Sequence, residues 1–537
     1  MACLGSLHGV LLDSDTWPAA KPFAGALESM VMEHVLPELS SPVGYLRARA
    51  LKVLADYSTM PFSNGHHQQM IVKAVLGRLD DSEVTVQVVA TECIRHLLEA
   101  SENGFHEVAA HVVGPVVGDV LSKYFTLMNT IGVDQTVASL DEIVEALGDG
   151  LHVYAEQLSQ SLVTTFHRFF DQYKRSDKED QEIELAANGI LSTLCTLMQS
   201  IHSNAALCGR VAAPWYATIT KMFDPEEEFL EFIDEAIPCI EWITYTVPEI
   251  GPELWQLFVA ATHAFMNFGI DSVPNTVIMY ENFMARGTDV FVTGSANGVR
   301  FLDMVLQLVQ KVWTLNKDDL EKAAAARIAI AMLQNCKGRV DDRLAPLVQM
   351  AAQTLAHATA QKKTVTLRLK LAHVISAGLS YDAPATLAAL AAGGDGPVSL
   401  WLATITSNVG EHHLMIDKKL FALGFAALLA LPAASLPAPL QAALPTLLSA
   451  TVVLLTKLRK QEAEAEADAG DMDEEDEEEE VGDDIDLEFD EDDEGEAEDE
   501  DEGGDPIDPS HGSSTRAKDT KRKQLGTAGT SGDTLGA

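Results

Sequence analysis

Two histidine pairs, two glycine-rich joints, six cysteines and one long run of acids are where this 537-residue chain could do chemistry. His66-His67 and His412-His413 offer paired imidazoles, yet no cysteine or carboxylate stands at ligand spacing from either, so neither is read as a metal site. GSANG (Gly294 to Gly298) and GGDG (Gly393 to Gly396) match neither a phosphate-cradling loop nor a nucleophile elbow. Cys3, Cys93, Cys195, Cys208, Cys239 and Cys336 are scattered among mostly apolar neighbours without a CxxC, which fits reduced thiols in the cytosol or nucleus. No catalytic residue, metal ligand or cofactor site follows from these residues. The expectation is a binding protein, not an enzyme.

The acid run is the strongest chemical signal. Residues 461–508 hold 30 Asp or Glu and no Lys or Arg, a density that predicts a disordered, solvated polyanion. Such a segment either serves solubility alone or competes for, and chaperones, basic proteins of histone-like or ribosomal type. The candidate partner-binding residues are Asp476, Glu478 and Asp484, followed by Ile485, Leu487 and Phe489, whose alternation with acids suits a short linear anchor. Residues 509–537 form a Ser/Thr/Gly-rich tail, also expected to be disordered, with a small basic cluster at Lys521-Arg522-Lys523. A neutral tail is the plainer reading of that cluster.

The elements that would carry such a tail are helices. Residues 1–460 contain 49 acids against 32 Lys or Arg, a net charge of about −17, so the body repels nucleic acid and anionic lipid and favours basic protein partners. Apolar residues recur every three to four positions almost throughout, as in Leu46, Ala50, Val53, Leu54 and Tyr57. The periodicity predicts on the order of twenty helices of 10 to 20 residues, with pairs repeating every ~40 to 45 residues, and no sheet. Neither helix of a pair can hide its apolar face alone, so pairs must stack. The fold expected is an all-α HEAT/armadillo-like solenoid over 1–460. Phe421 to Leu458 is the most lipid-like stretch, but Pro432, Pro437, Pro439 and Pro445 are expected to break it below spanning length. No membrane partner is expected.

Other singled-out residues have plain structural roles available. Arg47/Arg49 and Lys337/Arg339 are expected to bond acidic neighbours or helix-end carbonyls. Trp242, Trp255, Trp313 and Trp401 are expected in the core between helix layers, with a shallow inter-helix groove for a Phe-Gly segment as the sharper alternative. The remaining carboxylate pairs read as solvated helix faces.

Five stretches, in order, resemble the importin-beta family of nuclear transport receptors, in the branch of importins 7 and 8. They are HVLPELSSPVGYLRARA (His34 to Ala50), FLEFIDEAIPCIEWIT (Phe229 to Thr244), PELWQLF (Pro252 to Phe258), LQNCKGRVDD (Leu333 to Asp342) and HHLMIDKKLFALGFAALL (His412 to Leu429). The resemblance implies Ran-dependent import of basic cargo, contact with Phe-Gly nucleoporins, and shuttling between nucleus and cytoplasm. Family members are about twice as long, and Met1 to Asp13 resembles the middle of such a receptor. The resemblance therefore implies that Ran is bound by repeats not represented here, as in a truncated product or gene model, or with a partner supplying that function. A HEAT-repeat scaffold subunit and an acidic histone chaperone are the competing functions.

Overall fold

Helix follows helix because the apolar stripe survives each polar joint, and side chains at the joints close the helix ends. A computed structural model describes residues 7–8, 11–12, 21–100, 105–131, 134–176, 180–225, 230–315 and 318–471. Asn64, Asp180, Asn204, Thr364 and Asp382 each accept a hydrogen bond from a first-turn amide of the helix that follows. From residue 84 onward one set of helices packs each on the next: Val84–Glu99, Asp134–Leu147, Gln181–Ser200, Ile233–Thr246, Val277–Arg286, Asp319–Asn335, Val365–Tyr381 and Met415–Leu429. Their starts recur every 42 to 52 residues, longer than the repeat expected from sequence. The intervening helices form a second layer, including Ala155–Arg175, Pro252–Asn267, Phe301–Thr314 and Asp341–Ala360. Buried Leu, Ile, Val and Phe between the layers make one continuous core. This is the HEAT-like solenoid expected.

A buried ion pair joins two early repeats. The Arg47 guanidinium donates to both carboxylate oxygens of Asp81, at 2.8 and 2.6 Å, and to the Ser41 carbonyl at 3.0 Å. That bond holds the Asp81 carboxyl below its usual range. Gln87, standing where HEAT helices usually carry Arg, donates to the Asp81 carbonyl at 2.6 Å. Arg339 pairs with Asp289, and Lys337 donates to the Ser380 carbonyl at 2.7 Å. Arg47 is thus spent inside the solenoid, and Arg339 and Lys337 on its surface.

Three expectations need correction. Residues 1–460 were to contain no sheet, yet Ser295–Ala296 pairs antiparallel with Val299–Arg300. Asn297 and Gly298 turn the ribbon with φ of 52° and 80°, the left-handed pair that tight hairpins require. The apolar periodicity alone predicts a helix from Asn297 to Thr314, but the ribbon delays its start to Phe301. Second, the apolar periodicity predicts one helix over each of 105–127 and 207–223, yet each splits, at Gly114–Val116 and Ala213–Trp215, where Pro115 and Pro214 have no amide to continue the ladder. Third, Pro445 lies inside one continuous helix, Ala438–Asp471. Among the described residues, its Ala438–Ala463 part is long and apolar enough to cross a membrane, with 28 % of the apolar window buried. Leu440, Leu447 and Leu454 enter the core, while Leu448, Val452 and Leu455 are exposed. The helix also continues past 460, because the Glu/Ala alternation at 462–467 suits extension of a helix already nucleated.

A buried polar cluster ties the last repeats together. Lys370 Nζ donates to Asp417 Oδ2 at 2.7 Å, with both side chains at most a tenth exposed. His373, fully buried, lies 4.0 Å from the other Asp417 oxygen and edge-on to His412, with ring centroids 5.1 Å apart. Backbones meet closely here, since a Cβ on Gly424 would stand 3.0 Å from the Ser376 carbonyl oxygen. Burial holds the His373 imidazole neutral, pushing its pKa down to about 3. An unfolded histidine titrates near ~6.5, so between these values the unfolded chain binds a proton that the folded chain refuses. The His373 contribution to stability is complete above pH ~6.5 and is lost as pH falls towards 3. Urea unfolding from pH 7 to 4 should therefore show a steeper loss in the wild type than in His373→Leu. Parallel curves would refute the assignment.

Candidate functional site

The sequence-derived candidates Asp476, Glu478, Asp484, Ile485, Leu487 and Phe489, and the Lys521-Arg522-Lys523 cluster, lie outside the described residues. Within them, attention falls on carboxylates with few cations nearby. Sequence reasoning placed such pairs on solvated faces. For several, that is wrong.

Asp141 and Glu142 sit on the Asp134–Leu147 helix, Glu235 and Glu241 on Ile233–Thr246, and Glu321 on Asp319–Asn335, all in the same layer. Asp141 Oδ2 accepts from Ser192 Oγ at 3.1 Å, but Oδ1 is buried without a partner. Glu241 Oε1 and Glu321 Oε2 are likewise buried and unpartnered, and Glu321 is only 7 % exposed. Burial first, and then Glu99, Glu145 and Asp141 nearby, push the Glu142 carboxyl up to about 7, against a smaller pull from Arg95. Burial, aided by Glu281, raises Glu241 to about 7 despite a backbone hydrogen bond from Met279. Burial also raises Asp141 and Glu235. Each raised value means an ionised carboxylate short of positive charge. A Lys- or Arg-bearing partner would supply it.

The signal was present in the sequence and went unread. Residues 124–167 hold six acids and no Lys or Arg, and residues 222–285 hold twelve and none. Neither Glu142 nor Glu241 has a basic residue within four positions to pair along its helix.

The tryptophans separate into two groups. Trp215, Trp313 and Trp401 are buried, and each indole N–H donates to a protein oxygen at 3.0 to 3.1 Å. Trp242 is half-buried, edge-on to Tyr245. Trp255 differs. Its ring stacks on Phe301, centroids 5.0 Å apart and planes 4° from parallel, and touches Phe258 and Phe283. Its buried N–H has no acceptor. The ring lines a groove of about 580 Å³, walled by Ile250, Pro252, Val259, Val290 and Ala296. The apolar walls and the stacked rings suit an aromatic side chain as occupant. Among the described residues, no group of three or more His, Cys, Asp or Glu could hold a metal ion.

No protein-family model matches the chain. Curated relatives do. An importin beta-like SAD2 homolog of Arabidopsis thaliana is 28 % identical over 451 residues, covering 81 % of this chain and 42 % of that protein. A probable importin-7 homolog of Dictyostelium discoideum is 25 % identical over 409 residues, covering 75 % and 37 %. The solved structure of Lph2, described as a bidirectional nuclear transport receptor in S. cerevisiae, superposes with a TM-score of 0.58 at 13 % identity, covering 80 % of this chain and 45 % of that one. The chain is similar to importin beta-like proteins. It spans about two fifths of the length of these curated relatives. Its carboxylate-bearing layer and Trp255 groove both fall in the solenoid that the comparison with Lph2 supports as a fold.

Proposed function

We propose that this chain is part of a nuclear transport receptor that carries basic proteins of histone-like or ribosomal type between cytoplasm and nucleus. The observation that carries the reading is the set of half-buried, cation-poor carboxylates Asp141, Glu142, Glu235 and Glu241 on one helix layer, each with its pKa raised by partial burial. The importin names of the curated relatives support it, and they favour a binding protein over an enzyme. The Trp255–Phe301 groove is assigned to Phe-Gly nucleoporins, with the phenylalanine seated among its apolar walls. Dependence on Ran enters by family resemblance alone, with no residue here assigned to it. Electrostatic recognition of this kind brings fast, salt-screened association.

The test is fluorescence anisotropy with a Lys/Arg-rich peptide and, separately, a Phe-Gly peptide. Basic-peptide affinity should fall at least ~tenfold between ~50 and ~500 mM salt. It should weaken in Glu142→Gln/Glu241→Gln and hold in Trp255→Ala, with the reverse pattern for the Phe-Gly peptide. Salt-indifferent basic-peptide binding would sink the electrostatic account. Removing residues 472–537 spares Glu462, which pairs with Lys419 at 3.3 Å. If that truncation abolishes basic-protein binding, the acidic-chaperone function is the correct one.

A further inference from the structure

The Phe301–Thr314 and Asp341–Ala360 helices pack less closely than their neighbours on either side in the same layer, and a groove of about 700 Å³ opens between them. Its floor is apolar, made by Leu306, Leu347 and Met350. Its walls carry amides. Gln307 and Gln310 line one side, one helical turn apart and both exposed, and Gln349 and Gln353 line the other. Gln349 is anchored by donating to the Ala389 carbonyl at 3.3 Å, which leaves its side-chain oxygen free to accept.

Charge at the end of the groove is already neutralised. Arg343 Nε donates to Asp303 at 2.9 Å and reaches Asp342 at 3.1 Å, while Arg300 meets the same two carboxylates at 2.9 and 3.6 Å. Two arginines against two aspartates leave no unpaired charge for a phosphate, a carboxylate or a basic side chain. The Ser295–Arg300 ribbon stands between this groove and the Trp255 groove: Ser295 and Ala296 line the latter, Gly298 and Val299 the former. The two are separate sites.

We propose that this groove binds an extended polypeptide segment with uncharged side chains, held through its main chain by the carboxamides of Gln307, Gln310 and Gln353. A carboxamide presents both donors and an acceptor, the complement of a peptide group. The row from Arg343 to Gln353 spans ten residues of helix, or ~15 Å, which accommodates about four to five extended residues at ~3.3 Å each. Alternate side chains of that segment face the floor, where Leu306, Leu347 and Met350 select small or β-branched apolar residues. The ligand class is thus distinct from the basic cargo and Phe-Gly segments assigned above, and its binding does not depend on that assignment.

The test uses the full chain and a fluorophore-labelled peptide, acetylated and amidated, of ~10 residues alternating Val with Ser or Asn. Saturable binding is expected, the same at ~50 and ~500 mM salt. Gln307→Ala/Gln310→Ala/Gln353→Ala should weaken it at least ~tenfold, given three hydrogen bonds removed. N-methylation of the peptide main chain should abolish it, Met350→Trp should block it by filling the floor, and Trp255→Ala should leave it unchanged. The proposal is overturned by absence of saturable binding, by equal binding of the N-methylated peptide, or by binding that survives both the triple variant and Met350→Trp.

Discussion

Asp417→Ala should be among the most destabilising single substitutions in the chain, lowering stability by about 3–5 kcal/mol, because it leaves the Lys370 ammonium buried with no counter-charge. Lys370 is 4 % exposed, and burial already pushes its pKa down. Arg327 adds repulsion from the next helix, and the neutral imidazoles of His373 and His412 return no charge. Attraction to Asp417 is what keeps the ammonium ionised. Replacing both members with apolar residues, Lys370→Met with Asp417→Leu, should recover most of the loss, since the desolvation of two ions disappears together with their attraction. Urea midpoints of the three proteins decide it. A double variant as unstable as Asp417→Ala would mean that the pair is not the source.

The cluster also marks where sequence reasoning stopped. Periodicity located the Val365–Tyr381 and Met415–Leu429 helices to within a turn or so, because a stripe of Leu, Ile and Phe records which face is buried. It could not pair Lys370 with Asp417 across 47 residues, since that contact depends on how two repeats stack. Hairpin and split points failed for local reasons. Asn297-Gly298 demands left-handed backbone, and Pro115 and Pro214 each interrupt a ladder that the apolar pattern alone carries straight through. The resemblance to importins was legible in the order of five stretches, from His34–Ala50 to His412–Leu429. The binding surfaces were legible only in part. Trp255 differs from Trp215, Trp313 and Trp401 in lacking an acceptor for its N–H, a difference that no sequence position displays. Glu142 and Glu241 were judged by their polarity, whereas their basic-free surroundings carry the information.

That poverty of bases leads to the second expected result: affinity for a Lys/Arg-rich peptide should rise as pH increases from 6 to 8. Glu142 and Glu241 are raised to about 7, so both are partly protonated at pH 6 and mostly ionised at pH 8. A cationic partner binds the ionised form and lowers both values, so binding releases protons and is favoured as pH rises. Glu241, with one carboxylate oxygen closed off from solvent, should carry the larger share, while solvent around Glu142 screens its contribution. Several-fold tightening over that range is expected, bounded by roughly tenfold for each pH unit through which one group titrates. In the free protein the same groups act on folding with the opposite sense to His373. Their folded values lie above the ~4.3 of an unfolded Glu, so they weaken the fold fully above pH ~7 and cease to do so as pH falls towards 4. Glu142→Gln/Glu241→Gln should therefore bind the peptide more weakly at pH 8, show a flattened pH profile, and unfold at higher urea at pH 8 than the wild type. Stability gained together with binding lost is the signature of carboxylates kept short of cations for a partner. If the double variant instead unfolds more easily at pH 8, Glu142 and Glu241 hold the fold together, and the basic partner must be bound elsewhere.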